Sequence, residues 1–222
     1  KYSRKQRLNV RYVVMDMNAH YGSWIKQVFP NAEIVTDRFH IVQHINRTFN
    51  QLRCQIMKKY LNQSDSTQQK MGRRMKRYGR LLMKYEEDLD DKKYVYHYLF
   101  KTELTETMIV NEILLYDEEL KEAYEYTREL LTYYRQRNYT EFYNLIKEGT
   151  KANRKLFRQK FNIFIKYAKS IKIAFQVEYS NGVIEGINRK IKLLNRMSYG
   201  FKYFTYLRTR VFLVQEKLFK QS

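Results

Sequence analysis

Apolar positions along the chain follow three different rhythms. Near the start they form short unbroken runs: YVVM at residues 12–15, closed by Asp16, and EIVT at residues 33–36, closed by Asp37. Runs of this length bounded by polar residues predict buried strands. Between them, residues 18–28 place Tyr21, Trp24, Ile25 and Val28 on one face and stop before Pro30, which predicts a short helix. A strand, a helix and a second strand form a crossover unit whose strands lie parallel and adjacent. Asp16 and Asp37 then share the carboxyl edge of the sheet, where open α/β sheets bind ligands.

The second rhythm is helical. From Arg38 to about Tyr60, Val42, Ile45, Phe49, Leu52 and Ile56 recur every three or four residues, with Asp37 placed to cap the helix. The polar stretch LNQSDSTQQ predicts a loop. Residues 70–175 have no proline and keep helical spacing: Tyr116, Leu120, Ala123, Thr127, Leu130 and Tyr134 on one helix, and Phe157, Phe161, Phe164 and Ala168 on another. Between these, Thr140 caps a shorter helix with Gly149 just beyond its end. The expectation is an all-helical block.

The third stretch, SNGVIEGINRKIK, opens with Ser180 or Asn181 as a cap. Ile184, Ile187, Ile191 and Leu194 form its apolar stripe, and Glu185, Asn188, Arg189, Lys192 and Arg196 share the opposite side. Gly200 ends this helix, and a further amphipathic one follows over residues 201–218.

Composition narrows the partners. Forty-three Lys and Arg against 23 Asp and Glu give a net charge of +20 spread along the chain, a field that favours polyanions, nucleic acid first. No apolar run approaches the roughly 18–20 residues of a membrane span, and no secretory signal opens the sequence. The single cysteine, Cys54, excludes an intrachain disulfide and a cysteine-based zinc site, as in a reducing cytosol, so the expected location is cytoplasmic. Most of the 21 tyrosines read as half-buried helix residues, and EEDLDD as a solvated turn facing the basic segment.

Two groups could carry chemistry. Asp16 with Glu185 could join in holding divalent ions, since two metals in proximity need several anionic oxygens around them; on spacing alone, each reads equally as a cap or a dipole-favoured surface residue. Asp37 and His40 in DRFH could support such a site, or Asp37 simply caps the helix while His40 packs one turn in. Asn188 could orient Glu185 or be a solvated amide. The second group is basic: KMGRRMKRYGR at residues 70–80, and Arg189, Lys190, Lys192, Arg196, Lys202, Arg208 and Arg210, suited to phosphate contacts or to a solvated face.

Longer blocks carry a resemblance. VVMDMNAHYGSWIKQVFPNAEIVTDRFHIVQHIN, and much later YSNGVIEGINRKIKLLNRMSYGFKYFTYLRTRV, resemble the catalytic domain of DDE transposases of bacterial insertion sequences, the ISL-three family. The resemblance covers about a third of the chain and brackets the rest. It implies a ribonuclease-H-like domain that cuts and rejoins DNA with three acidic residues and two Mg²⁺ ions, Mn²⁺ being an alternative. Asp16 would be the second acid and Glu185 the third, both metal ligands. The first acid has no counterpart, which implies a C-terminal part that is inactive by itself. A homo-oligomer acting on insertion-sequence ends and target DNA is implied for the full protein.

The fold expected is α/β, mostly helical by residue count: a partial ribonuclease-H-like core over residues 1–62, an all-α insertion over 63–175, and closing helices over 176–222 that complete the core. The rival reading is a non-catalytic DNA-binding remnant or regulator derived from a transposase.

Overall fold

The computed structural model describes residues 2–17, 19–151, 155–179 and 182–219; within these, the side chains of residues 19–21, 151, 155, 183–185 and 215–219 lie outside the described set. The chain divides into two units, Lys1–Glu178 and Tyr179–Ser222.

The first unit opens with a helical turn, α1 (Arg4–Leu8), closed by a reciprocal capping box between Ser3 and Gln6. Strands β1 (Tyr12–Met15) and β2 (Glu33–Thr36) pair in parallel, in a register running from Tyr12 opposite Glu33 to Met15 opposite Thr36. Both ends match the apolar runs. Helix α2 (Ala19–Val28) makes the crossover. Ile25 is buried on its inner face, but Trp24 is 59% exposed, so the apolar face is narrower than the sequence suggests. Asn18 and the Tyr21 side chain lie outside the described residues.

Helix α3 (Arg38–Leu61) buries Ile45, Phe49, Leu52 and Ile56 of the expected stripe, but Ile41 is the buried residue in the first turn and Val42 is only half-buried. The polar stretch after it is a shorter loop than expected. Asp65 caps α4 (Ser66–Arg77) by accepting from the Thr67 and Gln68 amides, so half of LNQSDSTQQ is already helix. Beyond α4, the expectation of an all-helical block needs correction: β3 (Val95–His97) and β4 (Thr102–Leu104) form an antiparallel hairpin. It leads to α5 (Glu106–Leu114) and α6 (Glu118–Arg135), the latter burying Leu120, Ala123, Thr127, Leu130 and Tyr134 as their spacing predicts, whereas Tyr116, expected on the same helix, lies half-buried in the turn before it. The aromatic run at 157–168 is two helices rather than one, α8 (Lys155–Lys166) and α9 (Ala168–Gln176), broken at Tyr167.

A continuous core runs from Val35 to Phe175, so residues 63–175 share an interior with β2 and α3. Phe49 of α3 meets Tyr124 of α6 edge to face at 6.0 Å, and Thr36 of β2 shares a hydrogen bond with Ser170 of α9 at 2.8 Å. This packing, rather than the two short strands, holds β2 and the start of α3 in place.

Gly149 also differs from expectation. Helix α7 (Tyr139–Lys151) begins with Asn138 accepting from the Glu141 amide, where Thr140 was expected to cap, and it runs straight through Gly149. The glycine is there because Tyr126 crosses it: the Tyr126 hydroxyl donates to the Leu145 carbonyl at 3.0 Å, and a Cβ on residue 149 would overlap that ring. Gly149→Ala is therefore expected to destabilise the protein by about 1–3 kcal/mol through overpacking, although alanine is the better helix former by roughly 1 kcal/mol. Urea unfolding measures it, and a variant as stable as the parent contradicts the close approach.

The second unit contains α10 (Gly182–Met197) and α11 (Phe204–Phe219). Ser180 and Asn181, the expected cap, lie outside the described residues. Gly200 ends the α10 segment as expected: its φ of 92° is open to glycine, and its amide donates back to Asn195 at 2.8 Å. Among the described residues, no helix is long and apolar enough to cross a membrane.

Candidate metal-binding site

The parallel register brings the ends of β1 and β2 side by side, and the Asp37 amide extends the pairing by donating to the Met15 carbonyl at 2.9 Å. Asp16 and Asp37 therefore emerge next to one another. Helix α3 starts at once, because Asp37 is extended and its Oδ1 accepts from the Phe39 amide at 3.3 Å. One helical turn carries His40 back over the strand ends. Its Nε2 lies 2.7 Å from Asp16 Oδ1 and 3.8 Å from Asp37 Oδ2. One ligand atom from each of the three residues lies within 4.8 Å of the others.

The environments of the two acids are opposite. Asp16 has 55% of its side chain exposed, while Asp37 has 1%. A single imidazole N–H can serve only one carboxylate at this geometry, and Asp16 is the nearer. Among the described residues, Asp37 Oδ2 is left buried with no hydrogen-bond partner. The positive end of α3 offsets part of that charge, but an unsatisfied buried acceptor is costly, and an ion is one recognised way of satisfying it. Two carboxylates, with the His40 imidazole beside them, make an oxygen donor set that suits Mg²⁺ or Mn²⁺. The residues present thus fit a divalent cation.

Met17, Gln43, His44, Arg47 and Ile163 line a hollow beside Asp16 and His40. Burial pushes the His44 imidazole below its ordinary range, although its contact with the Lys160 carbonyl at 2.9 Å opposes the shift. The shift favours the neutral imidazole beside the acids.

Glu185 lies in the first turn of α10, and its side chain lies outside the described residues. Asn188, one turn on, is exposed, as are Arg189, Lys190, Lys192, Arg196, Lys202, Arg208 and Arg210. Lys202 and Arg208 rest over the rings of Tyr203 and Phe212. In EEDLDD, Glu87 pairs with Arg135 of α6 at 2.9 Å rather than with residues 70–80, and the Asp90 carboxylate accepts from the Lys92 and Lys93 amides. That run is a turn with its own donors. Sequence reasoning placed Asp37 and His40 only in support; the available signal was DRFH itself, an N-cap acid and a histidine one turn later, directly after a strand.

A family model described as Transposase, of the ISL-three DDE class, matches residues 1–211. The chain belongs to this transposase family. The acids at the strand ends thus sit in a transposase chain, and DDE transposases as a group use divalent metals. A curated relative from Lactococcus lactis subsp. lactis, called an ATP-dependent protease, is 32% identical over 110 residues, which are 50% of this chain and 35% of that protein. The transposase chain therefore spans about a third of the length of the curated relative it matches. No solved structure matches it significantly.

Proposed function

We propose that this chain contributes the metal-dependent centre for DNA strand cleavage and transfer in the transposition of an insertion sequence. The observation that carries the reading is the buried Asp37 oxygen beside Asp16 and His40, which has no hydrogen-bond partner among the described residues. The parallel strand pair with acids at its carboxyl edge supports a ribonuclease-H-like core over residues 1–62, with 63–175 as an insertion and 176–222 completing the centre. Asp16 and Glu185 are its metal ligands, Asp37 joins Asp16, and His40 supports them. When bound, the divalent ions lower the pKa of an attacking water or hydroxyl and stabilise the leaving oxygen.

The chain's own residues do the rest. His40 holds the Asp16 carboxylate in one orientation through its Nε2–H. Asp37 fixes the first turn of α3 and so the position of His40. Asn188 orients Glu185, and Arg189, Lys190, Lys192, Arg196, Lys202, Arg208 and Arg210 neutralise phosphates. DNA ends and target are the substrates, and a homo-oligomer brings two ends together.

The test is Mn²⁺ binding by calorimetry with Asp37→Asn, which keeps a capping oxygen. Losing even an outer partner of a metal ligand costs about 10–100-fold in affinity, so at least that loss is expected. Equal affinity in parent and variant would remove Asp37 from the site.

A further inference from the structure

A groove runs beside α3, between its outer face and the segment from α4 to Met83. Phe39, Gln43, Asn46, Arg47, Asn50, Arg53, Lys76, Gly79 and Arg80 line it together with Val42 and Met83, and no carboxylate is among them. Gln43 and Arg47 also line the hollow beside Asp16 and His40, so the groove begins at the acidic cluster and leads away along α3.

Three features show that the groove is built for an anion. Arg47, Lys76 and Arg80 are exposed and in no ion pair among the described residues. Arg53 is a cation only 8% exposed whose partners are all neutral: its guanidinium donates to Asn50 Oδ1 at 3.0 Å, the Met75 carbonyl at 2.9 Å and Cys54 Sγ at 3.2 Å. Each of its three nitrogens has a partner, yet among the described residues no carboxylate compensates the charge, and a buried charge without a counter-charge is costly. Gly79 leaves the space its guanidinium occupies, since a Cβ there would clash with it. The amides are polarised the same way. Asn50 Oδ1 is taken by Arg53 and Asn46 Oδ1 by Arg128 at 3.4 Å, so each turns its NH₂ donors to whatever enters. The polar part of the lining offers donors and positive charge and no carboxylate, and a ligand of acceptors and negative charge complements it.

We infer that this groove binds the phosphodiester backbone of DNA and leads one strand to the Asp16–Asp37–His40 cluster. Cations and amide donors hold a backbone in a sequence-tolerant way, and Phe39, Val42 and Met83 add apolar surface beside them. The inference rests on the reading of a DNA-acting chain, and it adds a track separate from the cations of α10 and α11.

The experiment is fluorescence anisotropy with a labelled DNA duplex across a salt series, using the 222-residue chain. Arg47→Gln with Arg80→Gln changes two exposed side chains, and circular dichroism with urea unfolding checks that the fold is kept. Weaker binding is expected, with the slope of log K against log salt reduced by about 2, one for each phosphate left without its arginine. Asn46→Asp alone, which turns a donor into a charge repelling phosphate, is also expected to weaken binding. A folded double variant with the parent's affinity and slope would overturn the groove while leaving the metal reading intact. A parent chain that binds no duplex would overturn it together with the DNA part of the proposed function, which Mn²⁺ binding tests separately.

Discussion

Replacing Asp16 by asparagine in the full-length transposase is expected to lower DNA strand cleavage by more than about 100-fold, beyond the loss typical of an outer partner of a metal ligand. The substitution is nearly isosteric, and asparagine Oδ1 can still accept from His40 Nε2, which lies 2.7 Å from Asp16 Oδ1. With 55% of its side chain exposed, residue 16 contributes little to the core, so the unfolding midpoint should hardly move. What is lost is one negative charge at a point where hard cations need anionic oxygen. The measurement pairs a cleavage assay on labelled element ends in Mg²⁺ with an unfolding curve. A stable Asp16→Asn protein that cleaves at the parent rate would eliminate the strand-end site.

The largest stability effect is expected at Phe161. Its side chain is fully buried, and its ring lies 5.1 Å from Phe157, 5.2 Å from Phe164 and 6.1 Å from Tyr126, centroid to centroid. His44 of α3 lies 6.5 Å away, so the aromatic cluster is also what α3 rests on. Phe161→Ala should cost about 3–5 kcal/mol, the range for removing a buried aromatic ring. Against a typical total of roughly 5–15 kcal/mol, that is a large share of the stability. Phe161→Leu should cost much less, because most of the volume is kept. Urea unfolding decides it, and an alanine variant within about 1 kcal/mol of the parent would mean the cluster collapses around the gap at small cost.

What the sequence made legible follows from how local each signal is. YVVM, EIVT and the stripe of α3 are visible because the pattern of burial repeats within a few residues. The β3–β4 hairpin was not, since tyrosines in KKYVYHYLFKTEL fit a strand or a helix surface equally. The start of α4 was hidden because Asp65 is one polar residue among many until its side chain is seen taking two amides. Gly149 was misread for a tertiary reason: its small size serves Tyr126, which comes from another helix. At the site, Asp16 was legible from its place after a strand, and Glu185 only through a longer motif. The weight of Asp37 was not, because a helix cap and a ligand use the same side chain, and only burial shows that one oxygen is left over.

That double use has a further consequence. The oxygen that starts α3 and the oxygen that faces Asp16 belong to one carboxylate, so any event that neutralises the second also changes how firmly the first grips the Phe39 amide. Helix α3 has 24 residues and is about 36 Å long at 1.5 Å per residue. The first turn of that rod is therefore set by the same carboxylate that lies beside Asp16 and His40 at the strand ends.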